Sequence, residues 1–111
     1  ATWCPPCVEE MPELQKLHDG GYGTDPNQIV VLAVDKAEDK AQIQKFMADN
    51  KLSLPVAMDS DSTVSGQYVV INLPITYIID PQGVVRAQHI SPLTADIIPL
   101  FLDRIKQNKF S

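Results

Sequence analysis

Two cysteines, Cys4 and Cys7, are the only ones among 111 residues, and they stand two residues apart in Ala1-Thr2-Trp3-Cys4-Pro5-Pro6-Cys7, directly before the helix-like run Val8-Glu9-Glu10-Met11. Whatever they do, they do together. A ring closed across two residues can open and shut without remodelling a domain, which reads as a redox switch more readily than a staple. A thiolate is the attacking species in disulfide exchange, and the unpaired N–H groups and dipole of a helix N-terminus stabilise it. That position makes Cys4 the expected nucleophile. Cys7, one turn further on and nearer the body of the protein, is the expected resolving thiol. Pro5 and Pro6 carry no N–H, which costs nothing in a first turn where those donors are unpaired anyway.

Three plainer readings compete. A C-x-x-C pair can be half of a zinc site, but two more ligands are needed, and His18 and His89 are the only imidazoles, neither at a ligand spacing. A structural disulfide over so short a loop would constrain little of the unfolded chain. Unreactive buried thiols fit poorly with the adjoining Trp3 and the helix start. His18 reads as a solvated residue near a helix C-terminus.

A chain of 111 residues is expected to form one domain, 1–111, with a single core. With 44% apolar and 21% charged residues its composition is that of a globular protein. Net charge is −5 and no basic run occurs, so neither nucleic acid nor an anionic lipid surface is an expected partner. No apolar run approaches the ~18 residues of a membrane span, and no signal peptide is visible. The chain begins at Ala1 and enters the motif abruptly, so an N-terminal portion, with any targeting segment, is expected to lie outside it.

Helical spacing predicts a first helix from Cys4 or Pro5 to Leu17 or His18, with Val8, Met11, Leu14 or Gln15, and Leu17 or His18 recurring at helical spacing, Glu9, Glu10, Glu13 and Lys16 on the other faces, and a kink at Pro12. Glycines 20, 21 and 23 stop it, and Thr24 to Gln28 form a polar connection. Ile29 to Val34, six apolar residues in a row, predict a strand buried on both faces of a parallel sheet. Asp39 to Asn50 predict the helical crossover, Leu52 to Met58 a short strand entered through Pro55, and Asp59 to Ser62 a turn and cap before a weak helix over Thr63 to Tyr68. Ile75 to Ile79 and Val84 to Ile90, joined by Asp80-Pro81-Gln82-Gly83, predict an antiparallel hairpin. Thr94 or Ser91 can start the last helix, with Ile97, Leu100, Phe101 and Ile105 as its packing face and Pro99 in its first turn.

Thr-Trp-Cys-Pro-Pro-Cys followed by a Glu-rich helix and Met-Pro-Glu-Leu resembles the active site of thioredoxin-like proteins, specifically the extracytoplasmic TlpA/ResA group, and the resemblance runs through most of the chain. It implies an α/β, thioredoxin-like three-layer sandwich with a mixed sheet and an αβ insertion at about 36–70. The strand that leads into the cysteine turn in that fold is central, and this chain starts after it. The resemblance therefore predicts either direct pairing of the flanking strands, or two bare hydrophobic edges that invite a homodimer or strand exchange.

Resemblance also assigns residues. Pro74 matches the cis-proline that faces the cysteine pair, with Leu73 before it offering backbone to a substrate strand. Trp3, Pro5 and Pro6 belong to the same substrate-contacting surface. Glu38, in Val31-Leu32-Ala33-Val34-Asp35-Lys36-Ala37-Glu38, aligns with a Glu close to the thiols. A carboxylate there, partly buried and with raised pKa, could exchange a proton with Cys7, and Asp35 competes for that role. The implied protein is a thiol-disulfide oxidoreductase, an exported and often membrane-tethered reductant. It would be fed by an upstream electron donor and act on protein disulfides such as those of apocytochrome c, in the periplasm or on the outer face of the cytoplasmic membrane. The Cys4–Cys7 dithiol would serve without a further cofactor or metal. Alternative readings are a disulfide oxidant or isomerase of the same fold, a non-enzymatic binding module or redox sensor, and a peroxidase, although the peroxide-activating Thr and Arg of the last are not visible.

Overall fold

The computed structural model of the chain describes residues 1–25, 27–68, 70 and 72–107, the side chains of 106 and 107 excepted. Pro26, in the expected polar connection, lies outside them. The elements run α1 (Pro5–His18), β1 (Ala33–Lys36), α2 (Lys40–Asp49), β2 (Val56–Asp59), α3 (Thr63–Gln67), β3 (Thr76–Ile79), β4 (Val85–His89) and α4 (Ile97–Gln107).

Local chemistry sets most of the boundaries. Asp39 caps α2 through a complete capping box: its carboxylate accepts from Gln42 N at 2.8 Å while the Gln42 side-chain oxygen accepts from Asp39 N at 3.3 Å. Before α3, the buried Asp59 carboxylate accepts from the N–H groups of Val64 and Ser65 at 3.0 and 2.8 Å and from the Ser65 hydroxyl at 2.6 Å. The hairpin turn is tied by Asp80, whose carboxylate accepts from Gln82 N, Val84 N and Arg86 Nε, and Gly83 takes the positive φ of 84° that a side chain would resist. α1 continues through Pro12 without ending.

The sheet differs from expectation. Among the described residues it is not one mixed sheet but two pairs: β1 with β2 in parallel, Ala33 opposite Val56, and β3 with β4 antiparallel, Thr76 opposite His89. The flanking strands β1 and β3 do not pair with each other. Nor is Ile29 to Val34 a doubly buried strand. Pairing begins only at Ala33, whose N–H donates to Pro55 O, and Val30, Leu32 and Val34 lie exposed while Val31 and Ala33 are half-buried. One face of this segment has a covering layer and the other has none, so burial alternates where the apolar run suggested it would not.

The core gathers Leu17 of α1, Leu93 and Ile98, with Leu14, Tyr22, Val31, Ile97, Phe101 and Leu102 packed around them. α4 therefore presents Ile98, Phe101 and Leu102, an i, i+3, i+4 stripe, and Leu100, expected inside, is 65% exposed. Burial of Ile98, 1% exposed, contributes roughly 1.5–3 kcal/mol.

Candidate active site

The cysteine pair is formed as a disulfide at the head of α1, with 5.2 Å between the two Cα atoms. Cys4 is the N-cap, in extended conformation, and Pro5 and Pro6 fill the first two helical positions, so the prolines stand where their missing N–H groups leave nothing unpaired. The first regular helical bond runs from Val8 N to Cys4 O at 3.1 Å, and Cys4 N donates back to Ala1 O at 3.2 Å. The N–H and C=O of Cys4 are thus both engaged in backbone bonds. Both cysteines are buried, at 6% and 8% exposure, while Trp3 beside them is 64% exposed and Pro5 and Pro6 lie open.

Behind the disulfide the structure collects carboxyl groups. Glu38, 6% exposed, takes the backbone N–H of Thr2 at 2.7 Å on Oε1 and the Thr2 hydroxyl on Oε2, so both oxygens are occupied by the residue two before Cys4. Burial opposes its charge, but those two bonds, with the neighbouring Asp35 and the N-terminal ammonium, hold the carboxyl below its ordinary range. This reverses the expected raised pKa. A carboxylate that receives two hydrogen bonds is stabilised as the anion even when it is little exposed.

The raised acid nearby is Asp35, pushed up to about 6 by burial and then by Glu38. Asp35 is 5% exposed, its Oδ1 lies 3.6 Å from the Ala1 nitrogen, and no donor reaches its buried Oδ2. Asp35 and Cys7 line the same partly enclosed cavity of about 60 Å³ between α1, β1 and α2.

A third buried acid went unread in the sequence. Glu10, expected on a solvent face, is 5% exposed, accepts from Leu93 N at 3.3 Å, and is pushed up to about 7 by burial. A signal for it existed: Cys7, Glu10, Leu14 and Leu17 fall at i, i+3, i+7 and i+10, one face of a helix, and the charge of Glu10 masked its place there.

Leu73 and Pro74 are half-buried at the entry to β3, and the bond between them is cis. The structure therefore brings Cys4, Cys7, Thr2, Asp35 and Glu38 together around the start of α1. Among the described residues no group of three or more His, Cys, Asp or Glu side chains is arranged to hold a metal ion.

A family model described as AhpC/TSA matches residues 1–88, from the first residue of the motif to the last strand of the hairpin. The chain belongs to the AhpC/TSA family. Among its relatives, the thiol-disulfide oxidoreductase ResA of Halalkalibacterium halodurans is 32% identical over 106 residues, 95% of this chain and 58% of that protein. The AhpC/TSA-family chain thus spans less than two thirds of the length of such relatives. The crystal structure of StoA from Bacillus subtilis superposes with a TM-score of 0.76 at 25% identity, covering 91% of this chain and 75% of that one. That of a putative thiol:disulfide interchange protein DsbE from Chlorobium tepidum gives 0.78 at 24% identity, over 99% and 74%. The fold of this family member is accordingly thioredoxin-like, with the helices and strands of that architecture and its sheet in two short pairs.

Proposed function

We propose that this chain is a protein thiol-disulfide oxidoreductase. The observation that carries the reading is the Cys4–Cys7 disulfide at the N-terminus of α1, with exposed Trp3 at its side. In the reductive direction the Cys4 thiolate attacks one sulfur of a client disulfide, forming a mixed disulfide and releasing the other client sulfur as a thiolate. Cys7 then attacks Cys4 Sγ, the bond from Cys4 to the client breaks, and the client leaves as a dithiol. Two electrons have passed from the pair to the client, so the dithiol itself is the redox carrier and the steps need no organic cofactor. A helix N-terminus favours the Cys4 thiolate that begins the cycle.

In this reading the Leu73 backbone before the cis Pro74 pairs with an extended client segment, and the exposed Trp3, Pro5 and Pro6 offer apolar surface to the same client. The relative named thiol-disulfide oxidoreductase ResA supports protein disulfides as the clients. In this reading the clients are extracytoplasmic proteins such as apocytochrome c, and an upstream electron donor restores the dithiol. The uncovered Val30, Leu32 and Val34 face supports a homodimer or strand exchange as a further assembly. Glu38 and its neighbour Asp35 form the acid pair that serves the resolving thiol.

The test is the reduction potential of the pair, equilibrated against thiol buffers and followed by Trp3 fluorescence. A value near or below roughly −240 mV supports a reductant, and one near −120 to −180 mV makes the protein an oxidant or isomerase. No reversible transition removes the redox reading. Insulin-disulfide reduction should be positive for the native chain, and Cys7→Ser should halt at the mixed disulfide, visible as a covalent adduct on a non-reducing gel.

A further inference from the structure

Sulfur gathers in the cavity of about 60 Å³ between α1, β1 and α2, which is lined by Cys7 and Met11 of α1 and by Met47 of α2. Cys7 and Met11 stand four positions apart on one helix, so their side chains are neighbours on the same face. Met58, the third methionine, is on β2 and takes no part in the wall. Asp35 does: it is 5% exposed and its Oδ2 has no donor. Thr2 is the other polar side chain there, and its hydroxyl is spent on Glu38; the remaining lining side chains are aliphatic or aromatic. A buried, unpartnered carboxylate oxygen is a standing cost that a cation beside it offsets. The donors say which cation. Hard cations such as Mg²⁺ and Ca²⁺ want about six or more oxygens and meet one carboxylate. Zn²⁺ takes thiolate, imidazole and carboxylate, whereas two of the three sulfurs here are thioethers and no imidazole lines the wall. A thiolate with thioethers is the donor set that selects Cu(I). The volume, several times the ~10–15 Å³ that one water needs, has room for a single ion in a mostly apolar wall.

We propose that the reduced chain holds one Cu(I) ion in this cavity, on the Cys7 thiolate and the Met11 and Met47 thioethers, with the Asp35 carboxylate as the neighbouring negative charge. As the ion binds, the Cys7 S–H bond breaks, its proton passes to the buffer and a sulfur–copper bond forms. Copper enters as Cu(I) and stays Cu(I), so no electron moves. In the oxidised chain Cys7 is bonded to Cys4 and has no thiolate to offer, so the site opens only when that bond is reduced. A bound ion in turn withholds Cys7 from attack on Cys4 Sγ, which couples metal occupancy to the redox state of the pair. The site goes beyond the thiol-disulfide reading and needs no client to be turned over.

The experiment is an anaerobic titration in which the chain, reduced and then freed of reductant, competes with bicinchoninate for Cu(I), followed by the visible absorbance of the Cu(I)–bicinchoninate complex. The native reduced chain should withdraw one equivalent and the oxidised chain none. Cys4→Ser should still withdraw one equivalent, because the site uses only the inner thiol, and Cys7→Ser should withdraw none. Met11→Leu and Met47→Leu should each weaken binding by at least the roughly tenfold that loss of even an outer-shell partner costs, and Met58→Leu should match the native chain. Native affinity in either Met11→Leu or Met47→Leu, or uptake by the oxidised chain, overturns the proposal, since the metal then sits on the two thiols alone or adventitiously. Should the leucine variants fail to fold, the native reduced chain labelled with ¹³C at its methionine methyls decides: one equivalent of Cu(I) should move two of the three methyl signals, and any other number overturns the site. Insulin-disulfide reduction by the same chain without copper is a separate result. If it is positive and no Cu(I) is taken up, the oxidoreductase reading stands and the copper site alone falls.

Discussion

The two strand pairs are built on opposite principles. β3 and β4 are joined by a four-residue turn whose carboxylate, Asp80, ties its own loop, and most of β4 lies open to solvent. β1 and β2 are joined across the whole of α2, carry the buried Asp35 and Asp59, and meet α1 through Gln15, whose side-chain oxygen accepts from Ser53 N and Leu54 N at 2.8 and 2.9 Å. Local contacts hold the first pair; contacts distant in sequence hold the second. The buried acids gathered near the start of α1, Asp35 and Glu38, are both on the side held by distant contacts, so their placement depends on the packing that is harder to assemble.

The comparison breaks most visibly at Leu54, 2% exposed at the entrance to β2. Leu54→Ala should cost about 2–5 kcal/mol in urea unfolding and shift the redox transition as well, because it loosens the Gln15 link to α1. Glu10 sharpens it next, since this residue stitches α1 to the segment after the hairpin. Its folded pKa, about 7, stands above the ordinary 4.5, so between those values the folded chain holds a proton that the unfolded chain has lost. Stability therefore falls as pH rises from about 4.5 to about 7 and is level above, and Glu10→Gln should flatten that slope and gain about 1–2 kcal/mol at pH 8, the figure discounted for partial solvent access. Gly83→Ala, at φ 84°, should cost about 1 kcal/mol and leave the redox transition unmoved. Leu32→Lys, on the bare face of the segment leading into β1, should change stability by no more than about 0.5 kcal/mol while reducing any self-association seen by sedimentation.

What was legible in the sequence follows the same division. The Cys4–Cys7 motif with its prolines at the helix start and the Asp80 to Gly83 turn are each written within a few residues, and each takes the form expected; the Asp39 and Gln42 box is equally local and went unread. The split sheet, the late start of β1 and the exposure of Val30, Leu32 and Val34 depend on what lies beside a strand, which an apolar run does not encode. The acids divide likewise. Glu38 was placed by resemblance, but its state depends on Thr2, 36 positions away, and Glu10 owes its burial to Leu93, 83 positions away. Charge in a helix suggests solvent unless a distant partner is known.

The closing of the cysteine ring over only two intervening residues has a consequence for how this protein can vary. Opening a loop that short releases very little chain entropy, and Cys4 keeps its backbone bonds to Val8 and Ala1 without any sulfur taking part. The cross-link itself therefore contributes little to holding the fold together, and substitutions at Pro5 and Pro6, which lie open at the head of the helix, can change the electron affinity of the pair while the body of the molecule stays in place.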